Sequence, residues 1–355
     1  MNFRHGIIAV SILLLAGCTG IGPHTVNRDR FEYTNALTES WKSQMLKNLV
    51  GLRYGEPPVF LDVVSVINQY ALESQLSGGF TWNSPTDIWQ AQAGLSGKYT
   101  DRPTITYSPL SGDKFTRNLM TPIPPTAVLS LIQAGYPIDL VLRVLSHSVN
   151  GIRNSYHGGV RARNADPEFY PLLAAMRRVQ DSGAVGFRVV KGKEKGDGTL
   201  LTFRGTVARE TEEEILSVRK ILGLDPLSRE FRVSYGAIPS DNHELALLTR
   251  SVLEILVDFS AQMDVPPSHV EEKRVNPTMV EKDPSGTPVM PLIRIRSSSD
   301  KPAEAYAAIA YRGWWYWIDD RDLASKRMFA FIMMIFSLTE TSGKEAAPIV
   351  TIPAG

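Results

Sequence analysis

The chain has 355 residues, 43% of them apolar, with 38 Lys and Arg against 37 Asp and Glu, a formal charge of +1. That balance lacks the basic footprint a nucleic-acid binder needs, so no nucleic-acid partner is expected. Cys18 is the only cysteine, which rules out an intrachain disulfide and a thiolate metal cluster.

The first residues carry the three-part pattern of a secretory signal. Arg4 and His5 give a short basic start. Gly6 to Leu15 is apolar but shorter than the roughly 20 residues a permanent membrane helix needs. The stretch ends in Leu15-Ala16-Gly17-Cys18, which resembles the lipobox of bacterial lipoproteins, cut before the cysteine by signal peptidase II. The resemblance implies that residues 1–17 are a removed signal peptide and that Cys18 carries lipid (palmitate among its acyl chains), tying the protein to a membrane. Each buried methylene contributes about 0.8 kcal/mol, so several acyl chains would hold durably. Thr19 stands where an aspartate would signal inner-membrane retention. The expected location is therefore the outer membrane, facing the periplasm. Without Arg4 the remainder has 37 basic and 37 acidic residues.

Residues 18–33, with breakers at Gly20, Gly22 and Pro23, read as a lipidated tether. A helix is expected over about 34–53, where Leu37, Trp41, Met45, Leu46, Leu49 and Leu52 form a stripe. Residues 59–67 favour a strand through their β-branched content. From there to Leu76 the reading is also strand, although helical spacing of Phe60, Val63, Ile67 and Tyr70 fits almost as well. Residues 78–101, rich in Gly, Ser, Thr and Asn, read as a long loop, and 103–107 as a short strand. Helices are predicted over 124–134, 138–149 and 167–182, with prolines in first turns where the missing N–H is harmless.

Beyond Gly183 strands and helices mix. Residues 185–190 and 199–204 read as a hairpin around the Lys191–Gly198 turn. A helix follows at 211–222 with acid in its first turn, then a strand at 230–235. The longest helix is expected over 243–263, capped by Asp241 or Asn242. Residues 292–297, 305–311 and 314–318 read as a β-meander, followed by a helix over 321–338 and a strand at 349–352. The apolar run Met328–Leu338 is too short to span a membrane. The expected class is α+β, with mixed or antiparallel sheet elements, a central helical region and a C-terminal β-meander plus helix. Its segments are 1–17, 18–33, 34–110 (N-terminal helix and β segment), 111–183 (helical) and 184–355 (α+β).

Two stretches, Tyr311-Arg312-Gly313-Trp314-Trp315-Tyr316-Trp317-Ile318-Asp319-Asp320 and Leu52-Arg53-Tyr54-Gly55-Glu56-Pro57-Pro58, look similar to envelope lipoproteins to which no activity is attached. That resemblance implies an envelope location only.

Signatures of common chemistry are missing. No Gly-x-Ser-x-Gly occurs, so His157-Gly158-Gly159 reads as a turn and not as an esterase oxyanion loop. Ser146-His147-Ser148 falls on a predicted helix, where Ser146 and His147 diverge. His243-Glu244 lacks a second histidine four residues on. Asp319, Asp320 and Asp322 suit a helix N-cap better than a cation site. No catalytic, cofactor or metal residue is assigned, and no cofactor is expected. The candidate ligand or partner surface is Tyr311, Trp314, Trp315, Tyr316 and Trp317. On a strand, Trp314 and Tyr316 share one face and Trp315 and Trp317 the other. Arg312-Gly313 is the expected turn before them. The leading expectation is a non-enzymatic scaffold, assembly or interaction factor of the envelope, with an envelope protein as partner. A glycan- or peptidoglycan-binding module using this strand, and an enzyme whose site assembles only in the fold, are the alternatives.

Overall fold

A computed structural model describes residues 21–67, 70–83, 88–101, 104–159, 162–190, 198–283 and 285–340. Cys18, the Lys191–Gly198 turn up to residue 197 and the expected strand at 349–352 lie outside them. The fold is α+β, and the chain divides into two compact units: Met1–Pro58 with Arg117–Gly355, and Val59–Thr116.

The larger unit begins with helix α1 (Ile21–Arg53). Among the described residues this helix already runs from Ile21, so the segment read as a tether is helical there and not an extended linker. Met45, Leu46, Leu49 and Val50 are buried, and α1 packs on α6 and β12, defined below. Helices α2 (Pro125–Gln133), α4 (Phe169–Asp181) and α5 (Arg209–Leu222) fall where the apolar periodicity predicts them, and α3 (Ile138–Leu145) begins where predicted. α5 ends at Gly223, whose φ of +65° closes the helix in the left-handed region.

The central sheet has six strands, in the order β6-β5-β10-β9-β8-β7. They are β5 (Ser146–Val149), β6 (Ile152–Arg153), β7 (Val185–Val190), β8 (Gly198–Phe203), β9 (Glu230–Tyr235) and β10 (Glu244–Thr249). All neighbours pair antiparallel except β9 and β10, which run parallel. The sheet therefore takes β5 and β6 from the region expected to be purely helical.

Two expected helices are corrected here. The one over 138–149 ends at Leu145, and Ser146–Val149 is strand. The one over 243–263 is strand β10 followed by helix α6 (Val252–Ala261). β10 lies between two strands, and Leu245, Ala246 and Leu247 are all buried. A strand covered on both faces is continuously apolar, and over a short run that cannot be told from a buried helix. α6 starts at a capping box in which the Ser251 hydroxyl accepts from Glu254 N and the Glu254 carboxylate accepts from Ser251 N.

A three-stranded sheet is built from β11 (Arg296–Ser298), β12 (Ala305–Tyr311) and β13 (Trp314–Asp319) in the order β11-β13-β12. The aromatic strand is thus the middle one, which corrects the expected sequential meander. Helix α7 (Leu323–Glu340) follows. Asp322 caps it, its carboxylate accepting from Ser325 N at 3.1 Å, while Asp320 takes Lys326 Nζ at 2.7 Å. The acidic trio is used by the chain's own cap and ion pairs.

In the smaller unit β1 (Leu61–Ile67) pairs antiparallel with β4 (Thr104–Pro109), and β2 (Tyr70–Asn83) with β3 (Ile88–Asp101). The register runs from Ile67↔Thr104 to Tyr70↔Asp101, three steps on each side, with one irregularity between Val63 and Ser65. Within residues 59–76, residues 61–67 and 70–76 are thus strand. The loop expected over 78–101 is corrected to a ladder of fourteen-residue strands. Glycine and serine weaken intrinsic strand preference at those positions, and pairing overrides it.

Candidate functional site

The aromatic strand has two unlike faces. Tyr316 and Ile318 are fully buried, whereas Trp315 and Trp317 on the opposite face are half-buried. Beside this second face, Ala310 is the register partner of Trp315 and Ala308 that of Trp317 on β12, while Ser298 and Arg296 occupy the same rungs on β11. On β12 the neighbours of both indole rings are alanines. Arg296 lies over Trp317 at 5.3 Å and Lys301 over Trp315 at 5.4 Å, cation–π contacts that align a cationic edge with an aromatic surface. Among the described residues the buried Trp317 Nε1 has no hydrogen-bond partner.

The inner face brings together the two stretches the sequence singled out. Arg312 and Gly313, with φ of +50° and +83°, form the two-residue turn that sets Tyr311 opposite Trp314. The Tyr54 hydroxyl lies 2.6 Å from His269 Nδ1 and 2.5 Å from the Tyr316 hydroxyl. Tyr311 donates to Glu56 at 2.6 Å, and Arg312 reaches the same carboxylate at 3.1 Å while its guanidinium covers the Tyr54 ring. Trp314 meets His269 edge-on at 6.2 Å. The Tyr311 hydrogen bond, assisted by Arg312, holds the Glu56 carboxyl below its usual range. Burial, together with the Glu56 carboxylate, pushes the Tyr311 hydroxyl up to about 12. Burial raises Tyr54 and Tyr316 as well. These phenols stay neutral near pH 7 and cross-link α1's C-terminus to the three-stranded sheet.

A second polar group was not legible in the sequence. The Asp258 Oδ1 of α6 accepts the His157 backbone N–H at 2.6 Å and lies 2.8 Å from His157 Nδ1, while its Oδ2 takes Arg250 Nη1 at 3.0 Å. Arg250 also donates to the Ser155 carbonyl. On the far side, His157 Nε2 is 3.6 Å from Glu281 Oε2, and Tyr170 donates to Glu281 Oε1 at 2.5 Å. Burial opposes the Asp258 charge, and the His157 hydrogen bonds with the Arg250 cation outweigh it, keeping the carboxyl ionised below its usual range. The group is sealed: the His157 and Arg250 side chains are 3% and 2% exposed. Among the described residues His157 Nε2 has no hydrogen-bond partner and faces the Glu281 carboxylate. Gly158 belongs to this closure, since a Cβ there would meet Val257 Cγ1 at 2.5 Å. His157-Gly158-Gly159 is thus a packed turn.

Beside this network opens a cleft of about 460 Å³, lined among others by His147, Arg153, Tyr156, Arg163, Ile238 and Glu254. Because β5 is a strand, His147 projects away from Ser146 and Ser148, and its Nε2 meets Glu254 Oε1 at 3.1 Å. The His147 hydrogen bond is the main reason the Glu254 carboxyl falls to about 2. Arg153 is held by Asp166 at 3.0 Å and Arg163 by the Asn154 carbonyl at 3.0 Å. His243 and Glu244, expected to open a helix, sit at the start of β10, with His243 3.4 Å from Asp225 and Glu244 accepting from Ser240 N. Among the described residues, no group of three His, Cys, Asp or Glu could hold a metal ion.

No protein-family model, curated protein or solved structure matches this chain.

Proposed function

We propose that the chain is a lipid-anchored envelope protein, held in the outer membrane by Cys18, facing the periplasm and working as a non-enzymatic scaffold, assembly or interaction factor. The observation that carries this reading is Leu15-Ala16-Gly17-Cys18 closing an apolar signal, with its cysteine the only one in the chain. Its test is direct. Cys18→Ser should abolish uptake of labelled palmitate and leave an uncleaved or soluble precursor. Continued labelling of that variant would overturn the anchor.

A second reading is favoured by the half-open face of β13. Trp315 and Trp317 beside Ala308 and Ala310, with Arg296 and Lys301 over the rings, suit a glycan with carboxylates close to its sugar rings, as the peptide stems of peptidoglycan provide. Trp315→Ala with Trp317→Ala should reduce sedimentation with purified peptidoglycan while the melting temperature moves little. Unchanged sedimentation would leave the envelope-protein partner as the reading.

A further inference from the structure

The hairpin of the smaller unit has a pattern the body does not share. On a strand, residues two apart lie on one face, and the register fixes which residues of β3 join them. One face of the ribbon carries Leu72, Leu76 and Phe80 from β2 and Leu95, Ala93 and Ala91 from β3, with Leu76↔Leu95 and Phe80↔Ala91 as partners. Its ends are aromatic. Leu72 is paired to Tyr99 at one end, with Tyr70↔Asp101 the next rung beyond it on the same face, and Trp82 and Trp89 are paired to each other at the other. The opposite face carries Gln75↔Ser96 and Thr81↔Gln90, and an opposite-charge pair, Glu73↔Lys98.

The spacing supplies a length. Ten residues separate the Leu72↔Tyr99 rung from the Trp82↔Trp89 rung, about 33 Å at roughly 3.3 Å per residue. Tilted by about 40°, as strands are in membrane barrels, this projects to about 25 Å, the height of the apolar band that aromatic girdles bracket in such barrels. Alternation of lipid-facing apolar and lumen-facing polar residues over about ten residues is the pattern of a membrane-spanning strand. An ordinary half-buried hairpin needs an apolar face too, but not a Leu72↔Tyr99 rung and a tryptophan rung set one hydrocarbon thickness apart.

The edges supply a partner. β2 and β3 form a two-stranded sheet, so among the described residues each has a free outer edge. In hydrocarbon those N–H and C=O groups must be paired, which only a closed barrel achieves. That no helix among the described residues is long and apolar enough to cross a membrane does not bear on this route. We infer that copies of this chain assemble in a ring, each lending the β2–β3 hairpin to one shared transmembrane β-barrel whose lumen is lined by the Glu73, Gln75, Thr81, Gln90 and Lys98 face. The smallest such barrels have about eight strands, so the ring needs about four copies or more.

The inference goes beyond the scaffold reading and stands without the lipid on Cys18. The full-length chain is added to planar bilayers and to vesicles of phosphatidylethanolamine and phosphatidylglycerol. Stepwise conductance and a crosslinkable oligomer are expected. Leu76→Arg, on the lipid face, should abolish conductance, whereas Gln75→Arg, one residue away on the lumen face, should keep it and shift selectivity towards anions. Far-UV circular dichroism of both variants checks that the body is folded. In a second arm, single cysteines placed from 72 to 81 in the Cys18→Ser chain are labelled on vesicles with a membrane-impermeant maleimide. Protection should alternate, with even positions shielded and odd ones reactive. Absent conductance, equal behaviour of the two arginine variants, or labelling without a two-residue period would overturn the barrel. Loss of palmitate uptake combined with alternating protection would uphold it, and an anchored chain without alternation would sink the barrel alone.

Discussion

Removing the Asp258 carboxylate should be among the most damaging single changes to the larger unit. That side chain accepts His157 N at 2.6 Å, lies 2.8 Å from His157 Nδ1 and neutralises Arg250 at 3.0 Å, all in a sealed interior. Asp258→Ala leaves a guanidinium whose side chain is 2% exposed without its counter-ion, and a backbone N–H without its acceptor. Breaking one side of a buried ion pair typically costs about 3–5 kcal/mol. The unit Met1–Pro58 with Arg117–Gly355 has roughly 300 residues, and at about 2.1 cal/mol/K per residue its unfolding entropy is ~0.6 kcal/mol/K. The melting midpoint should therefore fall by roughly 5–8 °C, read by near-ultraviolet circular dichroism or calorimetry. Replacing both partners, Arg250→Met with Asp258→Leu, should recover part of the loss, because no charge is left unpaired, although His157 N–H remains unsatisfied. Arg209→Ala, which breaks an exposed pair with Glu213, should leave the midpoint unchanged. If Asp258→Ala shifts the midpoint no more than Arg209→Ala, the network does not stabilise the fold as argued.

Two further outcomes follow from the same unit. Leu256 in α6 is fully buried, and Leu256→Ala should cost about 2–5 kcal/mol, the range for deleting buried methylenes; a melt that hardly moves would mean α6 does not pack as described. Glu254, whose carboxyl is depressed to about 2 from 4.5, contributes stability that is present above about pH 4.5 and is lost as the pH falls towards 2, because the unfolded chain binds the proton first. Urea midpoints between pH 6 and pH 2.5 should show a shallower acid decline in Glu254→Gln than in the parent, and parallel profiles would refute the His147–Glu254 coupling.

The sequence announced its own local chemistry well in some places and poorly in others. The stripe of Met45, Leu46 and Leu49, the Arg312-Gly313 turn and the Asp322 cap of α7 are written in residues close to one another, and each is where the spacing puts it. The start of α6 was also legible. Ser251-Val252-Leu253-Glu254 spells a capping box, and weighing it above the apolar stripe would have ended the preceding element at Thr249. The hairpin carried a weaker signal, since Ser74, Gly78 and Gly97 interrupt the apolar face and hide a two-residue period.

Local spacing alone therefore determined the α+β class, most helices and the faces of the aromatic strand. It also gave the expectation that Cys18 is an anchor. Only the tertiary structure decided that β13 is the central strand, that Tyr54 and Glu56 meet Tyr311 and Tyr316 more than 250 positions away, and that His157 is sealed between Asp258 and Glu281. The physical reason is the same in each case. A helix stripe or a cap is satisfied by residues within a turn or two, whereas a buried charge or phenol needs a partner from wherever the chain returns. The identity of that partner is fixed by packing, on which the residue's immediate neighbours in sequence have no bearing.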